Sequence, residues 1–439
     1  MQISKTIFGK NFSCLRHVNP QLATKVKNHV PTVLDFKIMR GISNTISVSG
    51  IQLSSRHDPE REAALQASHV AQFSEIYLYG IGLGYLPESL LKRPRLRKLN
   101  IKVLNLSLFW LILSLRDQVS WIIDERVNIS LASSDLDAQK PYFALHPDIF
   151  LADEHSQNIR NILYTSKCDH FSKKQFKLNQ SALLKRIQGN YIYLEKDNGV
   201  ECLRDLTPDA EAIVVGAGPS LESNIAKIQA YQRKDPRSII ISVGTASNFL
   251  VKNGIVPEFV VVIDKDISVS HPLIANFSEM METSLIYFPV VQSDFIKAWP
   301  GDRYAAYSES ALFNGAKAVY PKGSLFSGGS VIHTAIDLAR NLGCRNITLF
   351  GVDFAYSDNK THAGHKVGKL TNYENIRPTN QANRWIKDGN GNNIPTHDSF
   401  ISYLLELERY IKRHPGIKFW NSSKNGAFIR GCNFIKDHA

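Results

Sequence analysis

A chain of 439 residues exceeds the size at which one hydrophobic core keeps growing, so two domains are expected. Its 43% hydrophobic and 10% aromatic content is that of a globular protein. The formal charge of +12 comes from scattered Lys and Arg rather than a basic run interleaved with aromatics, which argues against nucleic acid and for a field that gathers anionic substrates.

Five widely spaced cysteines (Cys14, Cys168, Cys202, Cys344, Cys432) predict reduced thiols, without a disulfide framework or metal spacing. The start, Met1 to Phe8, lacks a secretory pattern, and the apolar run Leu106 to Leu115 is too short to cross a bilayer. A cytoplasmic protein is expected.

In chain order, residues 1 to about 70 read as helical or irregular, with a helix start at Asp58-Pro59 followed by acidic residues. Ile76 to Tyr79, the turn Gly80-Ile-Gly82-Leu-Gly84 and a strand from Leu99 to Leu104 form a first nucleotide-fold unit. That second strand carries Lys102 where a ribose-gripping carboxylate belongs, so the unit is expected to be structural or without ligand. Residues 125 to 200 read as the end of the first domain and a connector, giving domains 1–200 and 201–439.

From Glu211 strands and helices alternate. Glu211 to Val215 is a buried strand, Gly216-Ala217-Gly218 a tight turn, and Pro219-Ser220 a helix start. Apolar runs at 238–243, 258–263, 284–289 and 346–351 suit strands buried on both faces of a parallel sheet. The fold class is therefore α/β: two Rossmann-like domains, the second doubly wound and mostly parallel. Residues 355–396 read as a long loop of lid type, and Ser399 to Arg413 as a last helix.

In such a sheet, polar groups at the strand ends converge. Gly216, Gly218 and Ser220 offer N–H groups to a phosphate, and Gly328-Gly329-Ser330 offers a second cradle. Gly244, Thr245, Asp264 and Asp353 end neighbouring strands. Leu221 in the third glycine position disfavours a dinucleotide fingerprint, and no Lys-Ser/Thr pair makes a P-loop. His362, with His365 three residues on, and His397 are candidate general bases. No third ligand with suitable spacing accompanies the histidine pair, so no metal is expected.

Val214-Val-Gly-Ala-Gly-Pro-Ser-Leu221, Pro257 to Asp264, Gly328-Gly-Ser-Val331, Leu349-Phe-Gly-Val-Asp-Phe-Ala-Tyr356, Lys360-Thr-His362 and Phe419-Trp-Asn421 resemble the motility-associated-factor (Maf) family of flagellin glycosyltransferases. His57 to Ala63 and Tyr79 to Gly84 extend the resemblance into the first domain. The second domain is similar to bacterial sialyltransferases that use CMP-sialic acid, and the same Rossmann-like type includes MptE-like pterin diphosphokinases. The resemblance implies transfer of a pseudaminic, legionaminic or sialic type sugar from a CMP donor, with no cofactor, to flagellin Ser/Thr or a surface glycan. It places the base at His397, with His362 as rival, and adds Ala217, Pro219, Ser327, Tyr356 and Asn421 to the donor site. A pterin diphosphokinase using ATP and Mg²⁺, or a non-catalytic flagellin or nucleotide binder, are the alternatives.

Overall fold

The computed structural model describes residues 3–29, 34–70, 72–132, 137–208, 210–235, 237–364 and 384–435, without the side chains of 165–179 and 234. The chain forms two compact units, Met1–Cys168 and Asp169–Ala439.

The first unit opens with helices, then turns to an antiparallel sheet of β1 (Phe36–Met39), β2 (Thr45–Val48) and β3 (Ile51–Gln52), where the sequence predicted none. Only β2 is largely buried, so these short strands lack the long apolar runs that make a strand legible. The helix Pro59–His69 follows, with the Asp58 carboxylate accepting from Arg61 N–H at 2.8 Å.

Next come β4 (Glu75–Tyr79), β5 (Lys98–Val103), β6 (Val127–Leu131) and β7 (Tyr142–Ala144), a parallel sheet ordered β6-β5-β4-β7. The order reverses between β4 and β7. The glycine turn after β4 has φ values of +86°, +54° and +92° at Gly80, Gly82 and Gly84, a conformation that side chains disfavour. Its N–H groups already have an acceptor: the buried Asp148 carboxylate accepts from Ile81 N–H at 2.8 Å and from Gly82 N–H at 3.1 Å. The apolar segment Leu106–Leu115 is a helix buried in this core. Among the described residues no helix is long and apolar enough to cross a membrane. Residues Gln157–Gly189, within the stretch read from the sequence as the end of the first domain and a connector, form one helix.

The second unit holds a nine-stranded sheet whose neighbours all pair in parallel. Its strands are β8 (Asn198–Gly199), β9 (Glu211–Val215), β10 (Ile239–Val243), β11 (Phe259–Val262), β12 (Ser284–Tyr287), β13 (Arg303–Ala305), β14 (Asn346–Phe350), β17 (Lys418–Asn421) and β18 (Cys432–Phe434). The order is β18-β17-β14-β9-β10-β11-β12-β13-β8. From β9 the chain winds outward one way through β13, then returns to place β14 on the other side of β9. That reversal makes the β9/β14 edge the switch point of the doubly wound fold predicted from sequence.

Part of the loop predicted over 355–396 is ordered otherwise. β15 (Arg384–Lys387) and β16 (Asn393–Thr396) form an antiparallel hairpin. Its turn is held by Asp388, whose Oδ1 accepts from Asn390 N–H at 2.8 Å and from Asn392 N–H at 2.7 Å.

Candidate functional site

The glycine turn after β9 continues the pairing with β14 beyond both strands. Gly216 N–H donates to Phe350 O at 2.8 Å and Gly218 N–H to Gly351 O at 2.8 Å. A Cβ on Gly216 would lie 2.5 Å from Gly351 O, so this approach needs glycine. Pro219–Asn224 is then a 3₁₀ turn leading into the helix Ile225–Lys234. Ser220 donates to Asp353 twice, from N–H to Oδ2 at 2.8 Å and from Oγ to Oδ1 at 2.5 Å. Burial pushes the Asp353 carboxyl up to about 6, against the lowering effect of the Ser220 bonds. Both oxygens of Asp353 are thus engaged within the protein. Of the turn's donors, Ala217 N–H alone has no acceptor among the described residues.

The second cradle is arranged differently. Ser330 is the N-cap of the helix Val331–Asn341, yet its side chain makes no capping bond. His333 N–H donates to Ser330 O, while Val331 and Ile332 N–H have no acceptor among the described residues. These are the open donors of a helix start, where the helix dipole favours an anion. Gly328 and Gly329 are forced by what lies behind them. A Cβ on either would come within 2.9 Å of His333 Nδ1 or of the Tyr403 ring, respectively. His333 is itself buried, with Nε2 at 2.9 Å from Tyr403 O, and burial lowers its pKa to about 4, so it is neutral.

The two candidate bases stand in different places. His362 sits on a short strap pinned across the glycine turn. Glu222 accepts from Lys360 Nζ at 2.6 Å and from Gly364 N–H at 2.8 Å, and Ala363 N–H donates to Ala217 O at 2.9 Å. His397 precedes the helix Asp398–Arg413. Its Nδ1 is 3.1 Å from the Tyr356 hydroxyl, its ring stacks on Tyr356, and its centroid lies 4.0 Å from that of Phe400. Burial lowers the His397 pKa, so the neutral form prevails at pH 7, with Asp398 acting in the opposite sense. His365 lies outside the described residues.

A cleft of about 170 Å³ opens at the β9/β14 switch point. Of the residues singled out in the sequence it is lined by Gly216, Ala217, Gly218, Thr245, Ser330, Asp353 and His362. The others stand outside its lining. Pro219 and Ser220 are buried behind the turn, Gly244 packs against Val262, and Ser327, Gly328 and Gly329 lead into the helix start. Asp264 is exposed and accepts from Asp266 N–H at 2.8 Å. Asn421 is buried, and its side chain accepts from Ser423 N–H at 3.1 Å. Tyr356 and His397 sit behind Phe400, which does line the cleft.

Sequence reading passed over Thr361, Phe354, Phe400 and Tyr403 in the lining, and Glu222 beneath the strap. Phe400 and Tyr403 lie three apart on the last helix, so its amphipathic pattern could have placed them on one face. Among the described residues no cluster of three His, Cys, Asp or Glu forms a metal-binding group.

A family model described as 6-hydroxymethylpterin diphosphokinase MptE-like matches residues 148–359. Among solved structures, a MAf glycosyltransferase from Magnetospirillum magneticum AMB-1 is similar with a TM-score of 0.43 and 16% identity, over 99% of this chain and 75% of that one. No curated protein matches. Residues 148–359 thus carry the MptE-like pattern, one of the likenesses to which the motifs pointed.

Proposed function

We propose that the second unit is a glycosyltransferase that moves a nonulosonic acid from a CMP-sugar to a hydroxyl acceptor. The observation that carries this is the cleft at the switch point, where the uncapped helix start Ser330–Ile332 lines the same space as His362. The phosphate of the donor lies against Val331 and Ile332 N–H, which stabilise the charge that develops as CMP departs. The Gly216–Ser220 turn shapes the opposite wall, because its donors are largely engaged within the protein. The acceptor oxygen attacks the anomeric carbon from the face opposite the phosphate, the bond from that carbon to the phosphate oxygen breaks, and CMP leaves with the electron pair. The acceptor proton passes to a neutral imidazole. His362 takes that role on position in the cleft, and His397 on its place in the family resemblance; no metal is required. A flagellin Ser/Thr or surface glycan acceptor, in the cytoplasm, follows from the resemblance alone.

The second reading, a pterin diphosphokinase, is favoured by the description of the family matched over 148–359. It requires ATP with Mg²⁺. A thermal-shift series with CMP, CDP, UDP and ATP, each with Mg²⁺ or with EDTA, separates the two. Stabilisation by CMP or CDP in EDTA is expected. A shift with ATP and Mg²⁺ only would replace the first reading by the second, and no shift with any nucleotide leaves a non-catalytic protein.

A further inference from the structure

The glycine turn after β4 is the one sequence motif to which the proposed function gives no role. In a doubly wound sheet a ligand crevice lies at the carboxyl ends of the strands where the order reverses. In the first unit that place is between β4 and β7. Asp148, four residues past β7, fills the anion position there and holds the Ile81 and Gly82 N–H groups. A phosphate therefore finds neither donors nor room at this turn.

Beside the turn, on the side where Leu53 and Leu145 approach Gly82, is a cavity of about 360 Å³. That volume falls in the range of small-molecule sites, roughly 300–1,000 Å³. Its polar lining consists of the Glu62 carboxylate, the Gln52 and Gln66 carboxamides, the Ser54 hydroxyl and the His146 imidazole. Glu62 uses Oε2 to accept from Ser55 N–H at 2.7 Å, and its Oε1 has no partner among the described residues. The Gln66 carboxamide is likewise without a partner among them. Gln52 spends its Nε2 on Ser54 O at 2.6 Å, which leaves its side-chain oxygen as acceptor. Phe143 adds an aromatic surface.

The described lining holds the Glu62 carboxylate and no Lys or Arg, so an anion would meet Glu62 with only the His146 imidazole to set against it, and a bound molecule that donates hydrogen bonds and carries no negative charge is favoured. We propose that this cavity binds an uncharged polyhydroxyl compound of monosaccharide size, with its hydroxyls donating to Glu62 and Gln66. Planar carboxylate and carboxamide acceptors suit adjacent hydroxyl pairs, and the face of an aromatic ring suits the apolar face of a sugar ring.

Titration of the full-length protein by ligand-observed NMR with glucose, N-acetylglucosamine, N-acetylneuraminic acid and glucosamine tests this. Saturable binding of a neutral sugar is expected, weakened about tenfold, or 1.4 kcal/mol, by Gln66→Leu and by Glu62→Gln. The acidic sugar is expected to bind more weakly than the neutral ones. Absence of saturable neutral-sugar binding, preference for the acidic or the amino sugar, or binding unchanged in both variants would each overturn the proposal. If Glu62→Gln disturbs folding through its Ser55 bond, Gln66→Leu, whose side chain has no such bond, decides alone.

Discussion

Asp148 and Asp353 are two buried carboxyls that the fold holds against its own N–H groups, and burial raises each from 3.8 to about 6. The unfolded chain titrates them near 3.8, so between about pH 4 and 6 the folded protein holds more protons, and their contribution to stability falls as pH rises through that window. Each rise corresponds to roughly 3 kcal/mol. His333, lowered to about 4, works oppositely and loses stability as pH falls from 6.5 toward 4. Asp148→Asn isolates one carboxyl, because the amide oxygen still accepts from Ile81. We expect the variant to gain roughly 1–2 kcal/mol at pH 7.5 and little at pH 4, read by chemical denaturation. A loss at pH 7.5 would mean that the charged hydrogen bonds outweigh the cost of burial. For the bases, His362→Ala and His397→Ala should both fold. Loss of transfer by roughly 10²–10⁴-fold is expected for the base itself, so single-turnover rates of the two variants assign it. If both retain full activity, neither imidazole takes the proton.

At the scale of elements, the two units repeat one arrangement with unrelated sequences. In each, a glycine turn follows the strand at the switch point, and an aspartate from beyond the strand across that point plugs it: Asp148 after β7, Asp353 after β14. The plug leaves the second unit's open donors at the helix start Ser330–Ile332 instead. The strap Lys360–Gly364 depends on Glu222, which grips both its ends. Glu222→Ala is expected to speed amide exchange at Ala363 and Gly364 and to lower kcat several-fold with little change in KM for the donor. Glu222→Gln, which can still accept from Gly364 N–H, should recover part of the loss. Unchanged exchange in Glu222→Ala would show that the Ala363 to Ala217 bond alone holds the strap. This clamp was legible only as an acidic residue in a helix's first turn. Its partners are 138 and 142 residues away, beyond any local pattern.

For the whole molecule, the formal charge of +12 sets an expectation of its own. The described residues lining the cleft include neither Lys nor Arg, so attraction of an anionic donor comes from the general field and the helix start. Raising ionic strength from about 0.1 M to 1 M shrinks the screening length from roughly 10 Å to 3 Å. The donor's KM is therefore expected to rise several-fold over that range, with kcat nearly constant, in steady-state kinetics. Neutral-sugar binding at the first-unit cavity should stay level. A salt-independent KM would place the donor's attraction in short-range bonds alone.

The sequence by itself determined the α/β class, the strands of the second unit from β9 to β12 with β14, and the two glycine-serine turns at their ends. Those features rest on local physics: continuous apolar runs for buried parallel strands, and glycines where the backbone must approach another chain segment or adopt positive φ. The short strands β8 and β18 at the sheet edges and β13 beside β8 escaped, because two or three residues carry no periodicity. What each turn does was decided by the tertiary structure. Gly216–Ser220 and Gly328–Ser330 read alike as anion cradles, yet one has its donors taken by Phe350, Gly351 and Asp353 while the other keeps them open. The acceptors that separate them lie far along the chain from the donors they engage, and only the winding of β14 back beside β9 brings them together.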